Sequence, residues 1–320
     1  SEFTSLIKEG REESYKRLIG EAEKHGGIGI AGVTNELINH VGNIEFLSVG
    51  STVHQKEGAD DRLGFSSSAD AQELYCQHDA GFTPLKFAFG NVAYSVGLGG
   101  GLGGFLKSLS RGEVPQFSQI FDKTRHLALE RLTAEARQCG ANAVVGVETT
   151  VTPFMGVHEM IMIGTASHHP VLANFAGNPV TSDMTCQEMW NMINIGYMPL
   201  RLVMGVSVYS LGVAGGIMAA FKSMSRGEIP ELTSLIYEAR EKALDRIQQD
   251  AKAWNADEVV GVKTRIYGLG GGLIEFMAIG TAVRKVPGLT TKTPALPPQA
   301  VMQDHDTYIE TDVFSFGEQL

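Results

Sequence analysis

The ten residues "SLSRGEVPQF" at 108–117 return as "SMSRGEIPEL" at 223–232, 115 residues further along the chain. A 320-residue chain that repeats itself at this spacing is expected to fold as copies of one unit rather than around a single core. At the same offset, "SSADAQELYCQHDAGFTPL" at 67–85 lies on "SDMTCQEMWNMINIGYMPL" at 182–200, and Gly90, Tyr94 and Ser95 lie on Gly205, Tyr209 and Ser210. "CGANAVVGVETT" at 139–150 lies on "WNADEVVGVKTR" at 254–265, and "IGTA" recurs at 163–166 and 279–282, one added residue in the second copy's loop accounting for the change of register. A partial copy opens the chain: residues 5–33 match 234–262, and "IEFLSVGSTV" at 44–53 matches "IEFMAIGTAV" at 274–283. The chain thus divides into a partial repeat at 1–54, whole repeats at 66–169 and 181–286, and a Pro-containing linker and tail at 287–320.

Each whole unit reads as a short helix, a strand, a Gly-rich passage, the SRGE-P turn, a long helix and two strands. The short helix follows a Ser/Asp cap at 67–70 or 181–183 and stops at Gly81 or Gly196. In the long helix of the last copy, Leu232, Leu235, Ile236, Ala239, Ala243, Leu244, Ile247 and Ala251 recur at steps of three and four, so one face is buried. The β-branched run "VVGV" and the returning "IGTA" segment read as paired strands. The expected fold class is α+β, with tandem β-α-β-β units of a long helix on a small antiparallel sheet. Small sheets leave open edges, so neighbouring units are expected to share them. The partial repeat lacks the first strand, and the tail at 306–316 or another chain is a candidate cover for that edge.

Three sets of charged residues recur. Arg11, Arg125 and Arg240 coincide, as do Arg17, Arg131 and Arg246, and Glu45, Glu159 and Glu275 coincide on the last strand. An Arg on a helix facing a strand Glu would lock adjacent units or line a ligand groove. The alternative is a solvated helix face with an edge-strand charge that blunts aggregation. In SRGE-P, Gly112 and Gly227 permit a turn, Pro115 and Pro230 suit the first helical position, and Glu113 and Glu228 complement the positive helix end. Arg111 and Arg226 beside them are candidates for an anion or partner carboxylate.

Several function classes lose support. A net charge of −10 without Lys/Arg runs argues against nucleic acid or an anionic membrane surface. Cys76, Cys139 and Cys186 are far apart and read as reduced thiols of a cytoplasmic protein. The start "SEFTSLIKEG" has neither an initiator Met nor a signal-peptide pattern and reads as the start of a fragment. None of the nine histidines recurs in all three copies, so no built-in metal site and no cofactor is expected; the pair His168 and His169 reads as a solvated loop pair. No nucleophile–base pairing or phosphate loop is legible, so no enzyme is expected. The uncharged stretches 87–106 and 202–221 reach spanning length, but their glycines, tyrosines and serines and a β-branched front half favour strand over membrane helix.

"GANAVVGV" after an "EAREKAL"-type helix, the preceding "RGE" turn and the closing "IGTAV" strand resemble the YbjQ-like family, which is labelled for heavy-metal binding. The resemblance covers both whole units and the opening part. It implies a dodecin-like strand-helix-strand-strand subunit that closes into a ring, typically a pentamer of units, by extra strand pairing. The expectation is a non-enzymatic homo-oligomer forming a ring or larger shell, with itself as partner. The alternatives are a metal- or small-ligand-binding oligomer with sites between units, and a membrane-associated oligomer using the Gly-rich stretches.

Overall fold

The computed structural model describes residues 2–40, 43–55, 63–94, 111–154, 157–212, 230–270 and 272–296. Arg226, Glu228, the centres of both Gly-rich passages and the tail at 306–316 lie outside the described residues.

The first unit is a helix α1 (Glu2–Lys24) followed by a hairpin of β1 (Gly29–His40) and β2 (Asn43–Val53). The second runs through β3 (Phe65–Ser66), α2 (Ala71–Asp79), β4 (Thr83–Tyr94), β5 (Gly112–Glu113), α3 (Pro115–Gln138), β6 (Ala143–Phe154) and β7 (Val157–His168). After a short 3-10 turn at Pro170–Phe175, the third contains β8 (Val180–Thr181), α4 (Cys186–Asn194), β9 (Tyr197–Ser210), α5 (Pro230–Ala253), β10 (Glu258–Gly270) and β11 (Leu273–Lys285). The β-α-β-β order is therefore present in both whole units.

Local chemistry sets the boundaries. The Asp70 side chain accepts from Glu73 N to cap α2, whereas α4 is capped by Thr185 in a reciprocal box with Glu188. The second cap thus lies beyond 181–183, because Val180 and Thr181 are already committed to a strand with β6. In all three hairpins the glycine of the recurring run adopts positive φ (Gly32 63°, Gly146 62°, Gly261 65°), at the point where the strand register shifts. A bulge at this place bends each hairpin, and only glycine enters that conformation without strain.

The strand orders are β2-β1-β3, β4-β7-β6-β8 and β10-β11-β9-β5. β3, which leads into the second unit, pairs in parallel with β1, and β8, which leads into the third, pairs in parallel with β6. In the opposite direction, β5 of the second unit pairs with β9 of the third. At the second seam short strands thus pass both ways, and each antiparallel sheet carries a two-residue strand from a neighbour. Among the described residues no strand pairs with the outer edge of β2.

In the two whole units the long helix lies on its own first strand, α3 on β4 and α5 on β9. A side chain at Gly90 would strike the Ala128 carbonyl, and one at Gly205 the Ala243 carbonyl, so these glycines let α3 and α5 sit close to β4 and β9. The largest core joins two units: Phe121, Leu129, Leu132, Met160 and Met162 of the second pack with Met204, Val206, Val208, Met277 and Ile279 of the third. Each such side chain contributes about 1.5–3 kcal/mol by leaving water. A second core forms around α2 and α4, where Trp190 Nε1 donates to Asp79 Oδ2 at 2.7 Å. Among the described residues, no helix is long and apolar enough to cross a membrane. The front halves of both uncharged stretches are strands β4 and β9.

Candidate functional site

Two of the recurring Arg residues, Arg11 and Arg125, meet two of the recurring Glu residues, Glu159 and Glu275, at the seams. Arg11 projects from α1 toward β7 of the next unit, where its Nε donates to Glu159 Oε1 at 3.1 Å and its Nη2 to Glu159 Oε2 at 2.7 Å. Its Nη1 is held by the backbone and side-chain oxygens of Asn35, both at 2.7 Å. Arg125 on α3 repeats the fork one unit later: its Nε donates to Glu275 Oε1 at 3.0 Å and its Nη2 to Glu275 Oε2 at 2.6 Å. Both side chains of this second pair are at 0% exposure. Each Arg therefore pairs with the Glu of the following unit.

The Arg125 guanidinium also donates to Tyr94 Oη at 2.7 Å and lies over the rings of Tyr94 and Phe121. Burial opposes its charge, but the Glu275 carboxylate more than offsets this, and its pKa rises above the ordinary value. Burial pushes the Tyr94 hydroxyl up to about 12, so it stays protonated. A buried pair of this kind contributes little net stability over apolar residues of similar size, but removing one partner is costly. Its two-pronged geometry fixes how one unit sits on the next.

The second Arg set has a different task. Arg131 Nη1 donates to the Asn91 carbonyl at 2.6 Å, and Arg246 Nη1 donates to the Val206 carbonyl, so each clasps its own unit's first strand. Arg17 lies exposed on α1. Arg246 Nη2 additionally reaches Glu113 Oε1 of the preceding unit at 2.6 Å. This corrects the expectation for SRGE-P. Pro115 does open α3, but Gly112 and Glu113 form a strand on the next unit and the Glu113 carboxylate serves a neighbour's arginine. Arg111 is exposed at the start of that strand.

Metal donors do not converge. Among the described residues no group of three His, Cys, Asp or Glu side chains could hold an ion. Burial raises the pKa of all three thiols, most of all Cys186, which disfavours the thiolate that binds metal. His169 is buried rather than solvated: its ring tilts against Phe82, its Nδ1 accepts from Val171 N, and burial lowers its pKa. A cavity of about 260 Å³ opens at the seam of the second and third units, with Glu73, Asp183, Lys263 and Arg265 in its lining. Its cations are engaged by protein groups, Arg265 with the Thr149 carbonyl at 3.0 Å and Lys263 with Asp183 at 3.7 Å.

Comparison with known proteins follows the repeat. A YbjQ family model, described as "Putative heavy-metal-binding", matches residues 82–169 and 195–286, more than half of the chain. The encapsulin nanocompartment protein of Mycobacterium tuberculosis is 30% identical over 241 residues, covering 72% of this chain and 90% of that protein. A UPF0145 protein of Thermosipho africanus is 40% identical over 85 residues (27% of this chain, 79% of its own length). One of Thermoplasma acidophilum is 32% identical over 99 residues (29% and 83%). The two UPF0145 matches each span about one unit, whereas the mycobacterial match runs across units. Among the described residues the donor set does not fit the metal that the family description implies.

Proposed function

The chain belongs to the YbjQ family, in two tandem copies, and from that premise we propose that it is a structural subunit of a homo-oligomeric assembly, a ring or larger shell, rather than an enzyme. The observation that carries this reading is the seam itself. The same helix-Arg to next-unit-Glu fork is built twice, each time with apolar residues sealed around it. An interface that repeats along a chain in one direction is a rule for adding units, and such heterologous contacts generate closed rings or filaments. The similarity to a nanocompartment protein over 72% of the chain points the same way.

Native mass, by light scattering and native mass spectrometry, tests the proposal. A discrete species at a multiple of 34.4 kDa, with closed particles in electron micrographs, is expected. A chain that remains monomeric across micromolar concentrations overturns it.

A further inference from the structure

Two of the three recurring Arg residues find a recurring Glu within the chain; the third Arg and the first Glu do not. In the two complete seams the arginine Nε donates to Glu Oε1. In Arg240 on α5 that same Nε is buried with no hydrogen-bond partner among the described residues. Glu45 on β2 occupies the position of Glu159 and Glu275, yet its side chain is 50% exposed against 1% and 0% for theirs, and among the described residues it pairs with the exposed His40 at 2.7 Å.

The apolar surroundings are unmatched in the same way. Residues two and four places after the Glu share its face of the strand. On β11 these are Met277 and Ile279, at 1% and 5% exposure under the preceding unit. On β2 they are Leu47 and Val49, at 37% and 51%. On the outgoing side, the valine after the bulge glycine is covered by the following unit twice, Val33 at 1% and Val147 at 3%, while its third copy, Val262, is 43% exposed. Four residues before the helix arginine, Phe121 is sealed at 2%, whereas the equivalent Ile236 is only partly buried.

We propose that a second copy of this chain fills both vacancies: its β2 face docks on α5 and β10 of the first, with Glu45 taking the Arg240 fork and Leu47 and Val49 covering Val262. The occupant is another copy because the missing partner is defined by the two seams already made, and the charge and apolar positions of one end complement those of the other. The two surfaces are different, so the joint runs head to tail and propagates in one direction. This rests on the assembly reading above and supplies its contact.

Charge reversal on the full chain tests it. Arg240→Glu and Glu45→Arg should each lose the wild-type assembly at concentrations where wild type is fully associated, with circular dichroism and the unfolding midpoint of the single chain unchanged. An equimolar mixture of the two should regain it, because each joint then pairs opposite charges. Leu47→Glu, at a site exposed in the single chain, should dissociate the assembly without disturbing the fold, and covers the case in which Arg240→Glu fails to fold. If wild type associates while Glu45→Arg and Leu47→Glu keep its mass, the head-to-tail joint is overturned and the assembly reading stands. If wild type is itself monomeric, the assembly reading fails and the joint with it.

Discussion

The seam between the first and second units and the seam between the second and third share one fork but differ in what surrounds it. At the first, Arg11 is anchored by Asn35 of its own unit, and Thr4 Oγ1 accepts from Ala93 N at 3.1 Å across the boundary. At the second, Arg125 leans on Tyr94 and Met160, β5 adds a strand to β9, Glu113 reaches Arg246, and His126 faces Asp250. The shared part is the helix Arg, the strand Glu, the apolar residues on the Glu face and the short parallel strand that leads into the next unit, β3 on β1 and β8 on β6. That minimum is enough to define a seam; the remaining contacts are particular to each boundary and set how firmly it holds.

The largest expected effect comes from the forks. Glu275→Gln leaves the Arg125 charge buried without compensation, which should cost about 3–5 kcal/mol in urea unfolding. Glu159→Gln should cost less, because Arg11 keeps both hydrogen bonds to Asn35. Equal losses would show that the Asn35 anchor adds nothing and that the two seams are energetically alike.

The same contrast shows what the sequence carries. The repeat, the helix face and the coincidence of Arg11, Arg125 and Arg240 with Glu45, Glu159 and Glu275 are all legible, because a spacing of about 115 residues preserves position within a unit. The direction of pairing is not. Both sets advance by nearly the same step, so a within-unit pair and a next-unit pair look identical in register; only the packing of α3 over β9 decides between them. The strand at Gly112–Glu113 was hidden for a different reason. Two residues carry no periodicity, and next to Pro115 they have the composition of a turn. His169 read as solvated because a neighbouring histidine suggested a loop, whereas the side chain closes over Phe82.

A smaller effect separates the seams at Glu113. Its carboxylate is 18% exposed and Arg246 29%, so the pair is screened more than the forks. Glu113→Gln should cost about 1 kcal/mol. Because Ser118 Oγ also bonds Glu113 and accepts from Val208 N, the loss should show as faster amide exchange in β9, with β4 unchanged. Equal loosening of β4 would mean that the strand crossing stabilises the whole chain rather than one seam.

The smallest difference depends on pH. At the second seam His126 Nε2 lies 3.4 Å from Asp250 Oδ2 on α5, while its Nδ1 lies 3.5 Å from Asp122 Oδ2 on its own helix. The Asp250 hydrogen bond, working against burial and aided by Asp122, raises the histidine pKa from 6.5 to about 9. At the first seam the corresponding residue is Glu12, which pairs with Lys8 on the same helix rather than reaching across the boundary. A pKa raised on folding means that the contribution is present in full below pH 6.5 and is lost as pH rises through about 9. With the side chain 30% exposed, solvent screening keeps the contribution to about 1 kcal/mol. Unfolding free energies at either end of that window should fall for wild type and change less for His126→Gln. An unaltered slope in the variant would assign the pH dependence elsewhere and remove titration from the differences between the two seams.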